Sequence, residues 1–445
     1  MDIGRKIKFF RKEKSISQST LAHELCSVSY LSKIENNLVI PNVELVENLF
    51  NRLQITSINM FDTQTLLSQL KNWNYNILQQ GESAAKKSYL LIQKQIKSVD
   101  DPYYILLFKL FELHYFIDRQ DFTLADERIK ELAQYEEFLE AELEFYYLKF
   151  RGLYLYHKSD KLGALESYKK AVNLKNSFSL QDWEITYLYY FLALVAFEVR
   201  EDVFCIYYYN QASILIEQKN NSSMIARVKN LYGMILQRLK LFDEALDAYS
   251  YALDHCYNVG NMKLLIKIHI NLGKLYSNQS LSEKAIEHFK KSIDLLDETN
   301  WLIAKIEPIY LLVNEYFNIN ASLKCIYWLE IANKIISEQK YNTEHTINLK
   351  ILEFLLANKT NSVEFKIYLR DTAIPYFKKY NQWENIARYY NILGDYYQRQ
   401  NKYKNAAHYY KMSNESLQKL ILNYKSLHVS LEKTPEFKVL SGSLR

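Results

Sequence analysis

The stretch "SVSYLSKIENN", residues 27–37, combines an apolar spacing with side chains that can form directional hydrogen bonds. Leu31 and Ile34 lie three residues apart and would share the inner face of a helix. The opposite face then carries Ser29, Lys33 and Asn36, with Val28 and Tyr30 at its flanks. By its chemistry, Lys33 can donate to guanine O6 or N7, Ser29 can pair with either kind of base, and Val28 can contact a thymine methyl group. Such a slim polar ridge suits the major groove of duplex DNA, which is about 12 Å wide.

Four short helices are needed to position that ridge. The sequence predicts a second helix from Ser17 or Gln18, a third that Ser27 caps and that ends at Asn36 and Asn37, and a fourth in "PNVELVENLFNRLQI" with proline near its start. The predicted inward residues are, in helix order, Ile3, Ile7 and Phe10; Leu21, Ala22 and Leu25; Leu31 and Ile34; and some combination of Val43, Leu45, Val46, Leu49 and Leu53. The small core of residues 2–55 follows from this pattern.

Two of these helices joined by a short turn make a helix-turn-helix, and "LAHELCSVSYLSKIENNLVIPNVELV" resembles the repressor-type group of bacterial and phage regulators. The matching positions are Gln18, Leu21, Ala22, Leu31, Ser32, Ile34, Glu35 and Pro41. The turn before the third helix is one residue shorter than the commonest repressor spacing, which bears on which side chains reach bases.

This resemblance implies that the ridge contacts bases, and that phosphate contacts come from Gln18 and Ser17 and from Arg5 with Lys8 or Arg11. The alternative is a four-helix cap that closes the end of a larger array. A cap has no need of this particular residue set.

Composition and length favour an all-α protein with two or three domains or one long repeat array. The chain has 445 residues, 49% of them hydrophobic, and only 9 glycines and 5 prolines. Few turns are therefore available, and alternating strand patterns are hard to find. The four cysteines are far apart, without a CxxC pair or a zinc-like histidine spacing, so we expect no metal and no cofactor.

Charge and hydropathy bound the location and the partners. Charged residues occupy the place of a signal-peptide core, and no apolar run approaches the roughly 18 to 20 residues that cross a bilayer. We therefore expect a cytoplasmic protein without membrane contact. The net charge of +5 is mild, but the first 14 residues hold six basic side chains against two acidic ones.

A repeat with a period of about forty residues fills most of the chain. The segments from Asn230, Asn271 and Asn391 share a glycine, an alanine twelve residues later, an aromatic residue four further on and a small residue three beyond it. A fourth copy contains Gly152, Ala164, Tyr168 and Ala171. Small residues let two antiparallel helices approach, and the aromatic residue is expected to fill the space between neighbouring hairpins. Four of the nine glycines occupy this one position.

The pattern resembles the tetratricopeptide repeat and predicts nine helical hairpins over residues 66–425. The alanine position is occupied in turn by Ala85, Ala125, Ala164, Cys205, Ala245, Ala285, Cys325, Phe365 and Ala406. The copies at Ala85 and Phe365 match poorly, and Glu353 stands where a glycine is expected, which marks a bend or weak packing. Such stacked hairpins form a right-handed superhelix whose first helices line a concave surface suited to extended peptides.

Helical geometry predicts which side chains face that groove. They are Arg227, Asn230, Gln237 and Arg238; Lys267, Lys274 and Asn278; Tyr310, Asn314 and Asn318; and Arg388, Asn391, Gln398 and Arg399. Asparagine is a mediocre helix former, and its amide can pair with the main chain of any extended peptide. The groove is therefore predicted to bind a peptide, the alternative being that these are simply solvated residues. The tyrosine clusters "TYLYYF" and "CIYYYN" are predicted to be core.

A repressor-type head followed by tetratricopeptide repeats resembles the RRNPP group of peptide-pheromone receptors in Gram-positive bacteria. The turn "LAHELC" into "YLSKIENN" is especially similar to the PlcR, Rgg and NprR readers. The resemblance implies a cytosolic homodimer that reads a palindromic double-stranded operator and takes up an imported signalling peptide, with inner-helix asparagines such as Asn230, Asn314 and Asn391 holding the peptide backbone. The domains would be 1–60, 61–428 and a tail, 429–445.

A second possibility keeps the array as the working part. Rap-like and NprR-like proteins can bind a response regulator, in some cases removing its phosphate with a glutamine on the N-terminal side of the array. Candidates here are Gln64, Gln69, Gln79 and Gln80, none of them singled out by the sequence. An intrinsic enzyme is not expected, because there is no phosphate-binding loop or nucleophile motif. His114 and His157 are predicted to project into the groove as ordinary polar residues.

Overall fold

The computed structural model describes residues 2–55, 63–79, 82–217, 222–299, 301–339 and 343–432. The chain divides into two compact units, residues 1–191 and 192–445. Throughout the described ranges the regular structure is helical, without a strand. The all-α prediction is confirmed.

The head contains four helices at the predicted places. They are α1 (Ile3–Glu13), α2 (Gln18–Ala22), α3 (Val28–Glu35) and α4 (Val43–Arg52). The side chains of Ser17, Ser27 and Asn42 accept the backbone N–H groups of Thr20, Tyr30 and Leu45 at 3.0, 3.1 and 2.8 Å. These caps satisfy donors that the first helical turn leaves unpaired, and they confirm the predicted starts of α2 and α3.

The core of the head follows the predicted stripes with one exception. Leu21, Leu31 and Ile34 are fully buried, and of the set in the fourth helix, Leu49 and Leu53 are fully buried whereas Val43 is 74% exposed. Ile3 was predicted to face inward, but it is 51% exposed. It is the first residue of its helix, where the side chain extends beyond the packed turns, so the prediction was wrong at this position.

Nine hairpins follow within the ranges that the structure describes, which confirms the predicted tetratricopeptide-like array. In chain order they pair α5 (Thr63–Gln79) with α6 (Glu82–Gln95), α7 (Pro102–Asp118) with α8 (Phe122–Ala133), α9 (Ala141–His157) with α10 (Lys161–Leu174), α11 (Asp182–Glu198) with α12 (Asp202–Glu217), α13 (Ser222–Arg238) with α14 (Phe242–Val259), α15 (Met262–Asn278) with α16 (Ser282–Asp297), α17 (Ile306–Asn318) with α18 (Ser322–Gln339), α19 (Glu344–Leu356) with the bent α20 (Val363–Tyr368) and α21 (Ile374–Lys379), and α22 (Trp383–Arg399) with α23 (Tyr403–Glu432). All nine residues at the predicted alanine position are buried.

In the four repeats that have the glycine, it packs against the aromatic residue of the same hairpin. A Cβ added at Gly233 would lie 2.6 Å from the ring of Tyr249, and one added at Gly152 would lie 3.0 Å from the ring of Tyr168. We expected the aromatic residue to fill the space between neighbouring hairpins. The Tyr168 ring does contact the next hairpin, since it stacks on Phe191 of α11 with 5.7 Å between centroids, and it also takes the place of the side chain that the glycine of its own hairpin lacks.

The turn between the two helices of a hairpin repeats as faithfully as the helices do. Positive φ angles of 55° to 66° recur at Gln120, Ser159, Arg200, Lys240, Ser280, Asn320, Asn358 and Asn401. One residue further on, the N–H group bonds a carbonyl in the last turn of the first helix, as from Leu241 to Leu236 at 3.0 Å. This left-handed closure caps the helix end without glycine, so the sequence pattern gave no sign of it.

The eighth hairpin contains the bend that Glu353 suggested. Its second helix is interrupted by a π-helical turn at Leu369–Ala373. Pro375 lies two residues after the end of this turn, and proline removes a backbone donor and crowds the carbonyl four residues earlier. The wider turn accommodates this crowding, and Phe365 remains buried.

Candidate DNA-binding surface and ligand-binding face

The predicted polar ridge lies on the outside of α3. Val28 and Tyr30 are 44% and 36% exposed, whereas Leu31 and Ile34 on the opposite face are fully buried. Ser29, Lys33 and Asn36 are also exposed. The Asn36 side-chain amide donates to the Ser32 carbonyl at 2.9 Å, which keeps it close to the end of the helix. The structure thus brings the five predicted ridge residues together on one accessible face.

A buried carboxylate, which the sequence did not single out as functional, holds the ridge in place. Glu35 is 1% exposed and accepts hydrogen bonds from Arg11 Nε at 2.6 Å and Nη2 at 2.8 Å. Gln18 Nε2 donates to the same carboxylate at 2.8 Å. Glu35 therefore links α1, α2 and α3 through one charge-assisted network. Gln18 and Arg11, both expected near phosphates, donate to Glu35, and Arg11 Nη1 also donates to the Ile16 carbonyl at 3.0 Å.

The basic face of α1 contacts the array. Lys8 Nζ lies 2.5 Å from Glu137 Oε2, Lys12 binds the other oxygen of the same carboxylate, and Arg5 Nη2 donates to the Glu137 carbonyl at 2.5 Å. Burial acts to raise the pKa of Glu137, but the hydrogen bonds from Lys12 and Lys8 outweigh it, and the pKa is lowered. Arg5, expected to contact phosphate, thus has a protein partner, whereas Ser17 is exposed at the start of α2.

Apolar and ionic contacts complete this attachment, which we call the head–array contact (Arg5, Lys8, Phe9, Lys12 and Glu13 of α1 against Lys109, Tyr135, Glu137 and Phe138). The Phe9 ring is fully buried, with its centroid 5.2 Å from that of Tyr135 and 5.5 Å from that of Phe138. Glu13 accepts from Lys109 at 2.5 Å and from the Tyr135 hydroxyl at 2.5 Å. The head is therefore packed onto α7 and the segment after α8, within the first unit.

The predicted groove residues of the second unit differ in accessibility. Asn230 is 3% exposed, and its Oδ1 already accepts from Asn271 Nδ2 at 2.9 Å. Arg238 lies over the Phe197 ring, 3.3 Å from its centroid, and donates to the Phe197 carbonyl at 2.8 Å. Arg227 and Asn314 are half-buried, and Asn391 is exposed. Asn314 and Asn391 are thus open to a ligand, whereas Asn230 is part of the core.

A group of charged side chains joins four consecutive first helices, α15, α17, α19 and α22. Lys267 and Lys274 both bind Glu307, at 3.3 and 2.8 Å. Burial acts to raise the pKa of Glu307, but the charges of Lys267 and Lys274 outweigh it and hold the pKa well below the usual value.

Tyr310 and Arg388 continue this group. The Tyr310 ring lies 5.5 Å from the ring of His345, centroid to centroid. Burial raises the pKa of Tyr310, against the opposing charge of Arg388. We call Lys267, Lys274, Glu307, Tyr310 and Arg388 the cationic cluster.

Sequence reasoning missed the acidic members of both surfaces. Glu307 follows Lys267 by forty residues, which is one repeat period, so opposite charges at equivalent positions could have indicated the pair. Glu137 and Glu13 had no such signal, because their partners are distant in sequence. His114 was predicted to project into the groove, but it is 2% exposed and bonded to Asn74 Oδ1 at 2.9 Å, so that prediction was wrong.

The residues of the phosphatase-like alternative are only partly described. Gln64 is exposed and Gln69 is half-buried. Gln80 and the side chain of Gln79 lie outside the described residues. Within the described ranges, no helix is long and apolar enough to span a bilayer, and no group of three or more His, Cys, Asp or Glu residues could hold a metal ion.

Comparisons with known proteins match both parts of the chain. A helix-turn-helix family model matches residues 7–59, and a tetratricopeptide-repeat model matches residues 224–298. The transcriptional activator NprA of Geobacillus stearothermophilus is 30% identical over 377 residues, covering 84% of this chain and 93% of the relative. Response regulator aspartate phosphatase I of Bacillus subtilis is 22% identical over 238 residues, covering 53% and 60% of the two chains.

Solved structures share the fold. A Rap protein complexed with competence and sporulation factor has a TM-score of 0.68 at 15% identity, covering 80% of this chain and 99% of that one. NprR in complex with its cognate peptide NprX has a TM-score of 0.61 at 17% identity, covering 79% and 99%. These similarities show that the helical-hairpin architecture is shared.

Proposed function

The chain belongs to the RRNPP family of peptide-pheromone receptors, and from that membership we propose that it is a transcription regulator controlled by a signalling peptide. The head, residues 1–60, binds a palindromic double-stranded operator as part of a homodimer. The array, residues 61–428, binds a short imported peptide and carries the dimer contacts. The protein works in the cytoplasm and has no catalytic step of its own.

One observation carries the DNA-binding part of this proposal. The exposed ridge of α3 presents a lysine donor, a hydroxyl and an amide over a fully buried Leu31–Ile34 face. A helix held in this way can enter the major groove while its core side remains packed. Ser17 and Gln18 lie at the start of α2, where helix-turn-helix proteins cross the phosphate backbone.

Replacing Lys33 with alanine tests this reading. We expect specific operator binding to weaken by about 1 to 3 kcal/mol, with specificity relaxed at one base pair, because a base-edge donor is lost. The operator is first isolated by selecting bound fragments of genomic DNA, and affinity is then measured on the operator and on random-sequence duplex. Lys14→Ala, which removes another exposed lysine of the head, is the matched control. Equal losses on both duplexes would remove Lys33 from the base-reading set.

Peptide control is supported by the family and by the accessible polar face of the second unit. Asn314 and Asn391 can pair with a peptide backbone, and Lys274, Tyr310 and Arg388 flank them on the first helices. Arg227 and Arg238 lie on α13, the first helix of an earlier hairpin. A peptide shifts DNA binding only if it binds two states of the array with different affinities.

A response regulator is the alternative partner. The match to an aspartate phosphatase of response regulators lies within the same family and extends over 238 residues. If this alternative is correct, the purified protein will bind a receiver domain even when the ridge carries Lys33→Ala. A transcription regulator needs the ridge to bind its operator, so the two hypotheses predict different effects of Lys33→Ala.

A further inference from the structure

The charges of the cationic cluster do not cancel. Lys267 and Lys274 share the single carboxylate of Glu307, and Arg388 acts on Tyr310. The nearby Glu344 accepts a hydrogen bond from Asn385 at 3.4 Å and supplies a second negative charge. Burial lowers the pKa of His345, which favours its neutral form. Among the described residues, three cations therefore face the two carboxylates of Glu307 and Glu344, and this group carries a net positive charge.

The excess charge is accessible from solvent. The side chains of Lys267 and Lys274 are 47% and 37% exposed, compared with 23% for Glu307. Arg388 is also exposed. An ammonium group has three donors, so a lysine can donate to more than one acceptor at the same time. An anion can therefore reach both lysines without rearrangement of the core.

Neutral groups suited to a peptide main chain lie beside these cations. Asn314 follows Tyr310 by one helical turn on α17, and Asn391 follows Arg388 by three residues on α22. Residues at these spacings share a helix face, so each amide lies next to a member of the cluster. The same surface thus offers pairing groups for the backbone and cations for a carboxylate.

We propose that the cationic cluster binds a carboxylate of the signalling peptide, supplied by an aspartate or glutamate side chain or by the C-terminus. This inference rests on the proposed function, because it assumes that a short peptide binds the first-helix face of the second unit. It adds the chemical class of that peptide. A charge-assisted hydrogen bond between ammonium and carboxylate is stronger than a neutral one, so this contact contributes to selection as well as affinity.

The test uses two pools of random synthetic heptapeptides, one with free and one with amidated C-termini. The full-length protein is mixed with each pool, separated from unbound peptide by gel filtration, and the retained peptides are sequenced by mass spectrometry. We expect carboxylate-bearing peptides to be enriched about tenfold over their share of the pool, the ratio that one charged hydrogen bond supports. Enrichment of acidic residues in the amidated pool identifies a side chain, and enrichment of free over amidated peptides identifies the C-terminus.

Charge reversal provides the control. Lys274→Glu should abolish the enrichment, whereas Lys290→Glu, the same change at an exposed lysine of α16, should leave it intact. Retention of peptides without acidic enrichment would overturn this inference and leave peptide control standing. Retention of no peptide from either pool would overturn both.

Discussion

At the scale of single residues, the repeat depends on glycines that face a ring. Gly233 lies against Tyr249, which is fully buried and whose hydroxyl donates to Gln237 Oε1 at 2.9 Å. We expect Gly233→Ala to lower the free energy of unfolding by about 1 to 3 kcal/mol, since the added methyl group must displace the ring. Urea denaturation of the two proteins measures the difference.

A second variant distinguishes the close contact between position 233 and the Tyr249 ring from a general effect of alanine on the helix. Tyr249→Leu leaves space at Gly233, so the alanine should be far less harmful in the double variant than alone. A double-mutant cycle then shows strong coupling between the two positions. Additive effects would mean that the close contact does not limit the packing of this hairpin.

Lys149 is a buried cation that the sequence analysis did not notice. Its Nζ has no hydrogen-bond partner among the described residues and lies 5.5 to 5.9 Å from the ring centroids of Phe145, Tyr146, Phe150, Trp183 and Tyr187. The ring faces stabilise the ammonium group. Burial nevertheless lowers its pKa to about 8, against the attraction of Glu184.

Lys149→Met should therefore stabilise the protein by about 1 to 3 kcal/mol at neutral pH. The pKa of about 8 in the folded state is below the usual 10.5. The buried ammonium charge therefore lowers the free energy of unfolding by its full amount below pH 8. That cost disappears as the pH rises from 8 to 10.5, so the advantage of the variant should shrink over the same range. Thermal unfolding at pH 7 and pH 10 provides the measurement, and an advantage independent of pH would contradict it.

Residue positions could be predicted from the sequence better than residue accessibility. Asn230 and Asn314 both occur at positions predicted to face the groove. Of the two, only Asn314 is accessible to solvent, because Asn230 is buried between α13 and α15, where it pairs with Asn271. The helical period predicts the direction in which a side chain points, but not whether neighbouring side chains cover it. We expect Asn230→Ala to lower the melting temperature, since Asn271 would lose its partner, and Asn314→Ala to leave the temperature nearly unchanged.

At the scale of elements, α1 shows why counting charges does not identify a binding face. The basic residues at the N-terminus suggested phosphate contacts. The structure directs Arg5, Lys8 and Lys12 to one acidic residue, Glu137. That contact joins positions more than a hundred residues apart, and no local pattern encodes it.

Glu137→Gln is expected to release Lys8 and Lys12 from their ionic partner, whereas Arg5 keeps the backbone carbonyl that it donates to. Binding to random-sequence duplex should then strengthen at low salt, since the lysines become available to phosphates. The dependence of log K on log salt should steepen by about 0.9 for each new phosphate contact. Fluorescence anisotropy over a salt series measures both quantities.

The neighbouring carboxylate supplies the matched control for this change. Glu136 accepts from the Tyr147 hydroxyl at 2.7 Å and, within the described part of the chain, makes no hydrogen bond or ion pair with α1. Glu136→Gln removes the same charge, so it should leave the salt dependence unchanged. Similar slopes for both variants would show that Glu137 acts only through the overall electrostatic field of the protein and not through its ion pairs with Lys8 and Lys12.

The order of elements was the most predictable feature. A strict period of about forty residues predicted nine hairpins, because the residue at the alanine position of every copy is buried between the two helices. The left-handed turn residues could not be predicted, since eight such positions are occupied by glutamine, serine, arginine, lysine and asparagine. Their conformation is set by the helices on either side rather than by the residue type.

At the scale of the whole molecule, the net charge of +5 is the sum over several surfaces that differ in what they contact. The ridge of α3 is suited to DNA, and the cationic cluster is suited to a carboxylate. The basic face of α1 is occupied within the protein. Under the proposed function the chain binds two anionic partners through different residues, and regulation requires that these two binding events influence each other.

That influence must be reciprocal at equilibrium. If a peptide selected from the random pools changes operator affinity by some factor, saturating operator must change peptide affinity by the same factor, typically about 5- to 150-fold. Peptide binding is measured with operator duplex, with random-sequence duplex and without DNA. In the Lys33→Ala variant, a higher operator concentration should be needed to change the peptide affinity, because the substitution weakens operator binding and leaves the peptide-binding face intact. A peptide that changes operator binding while operator leaves peptide binding unaltered would show that the effect does not arise from one protein with two coupled sites.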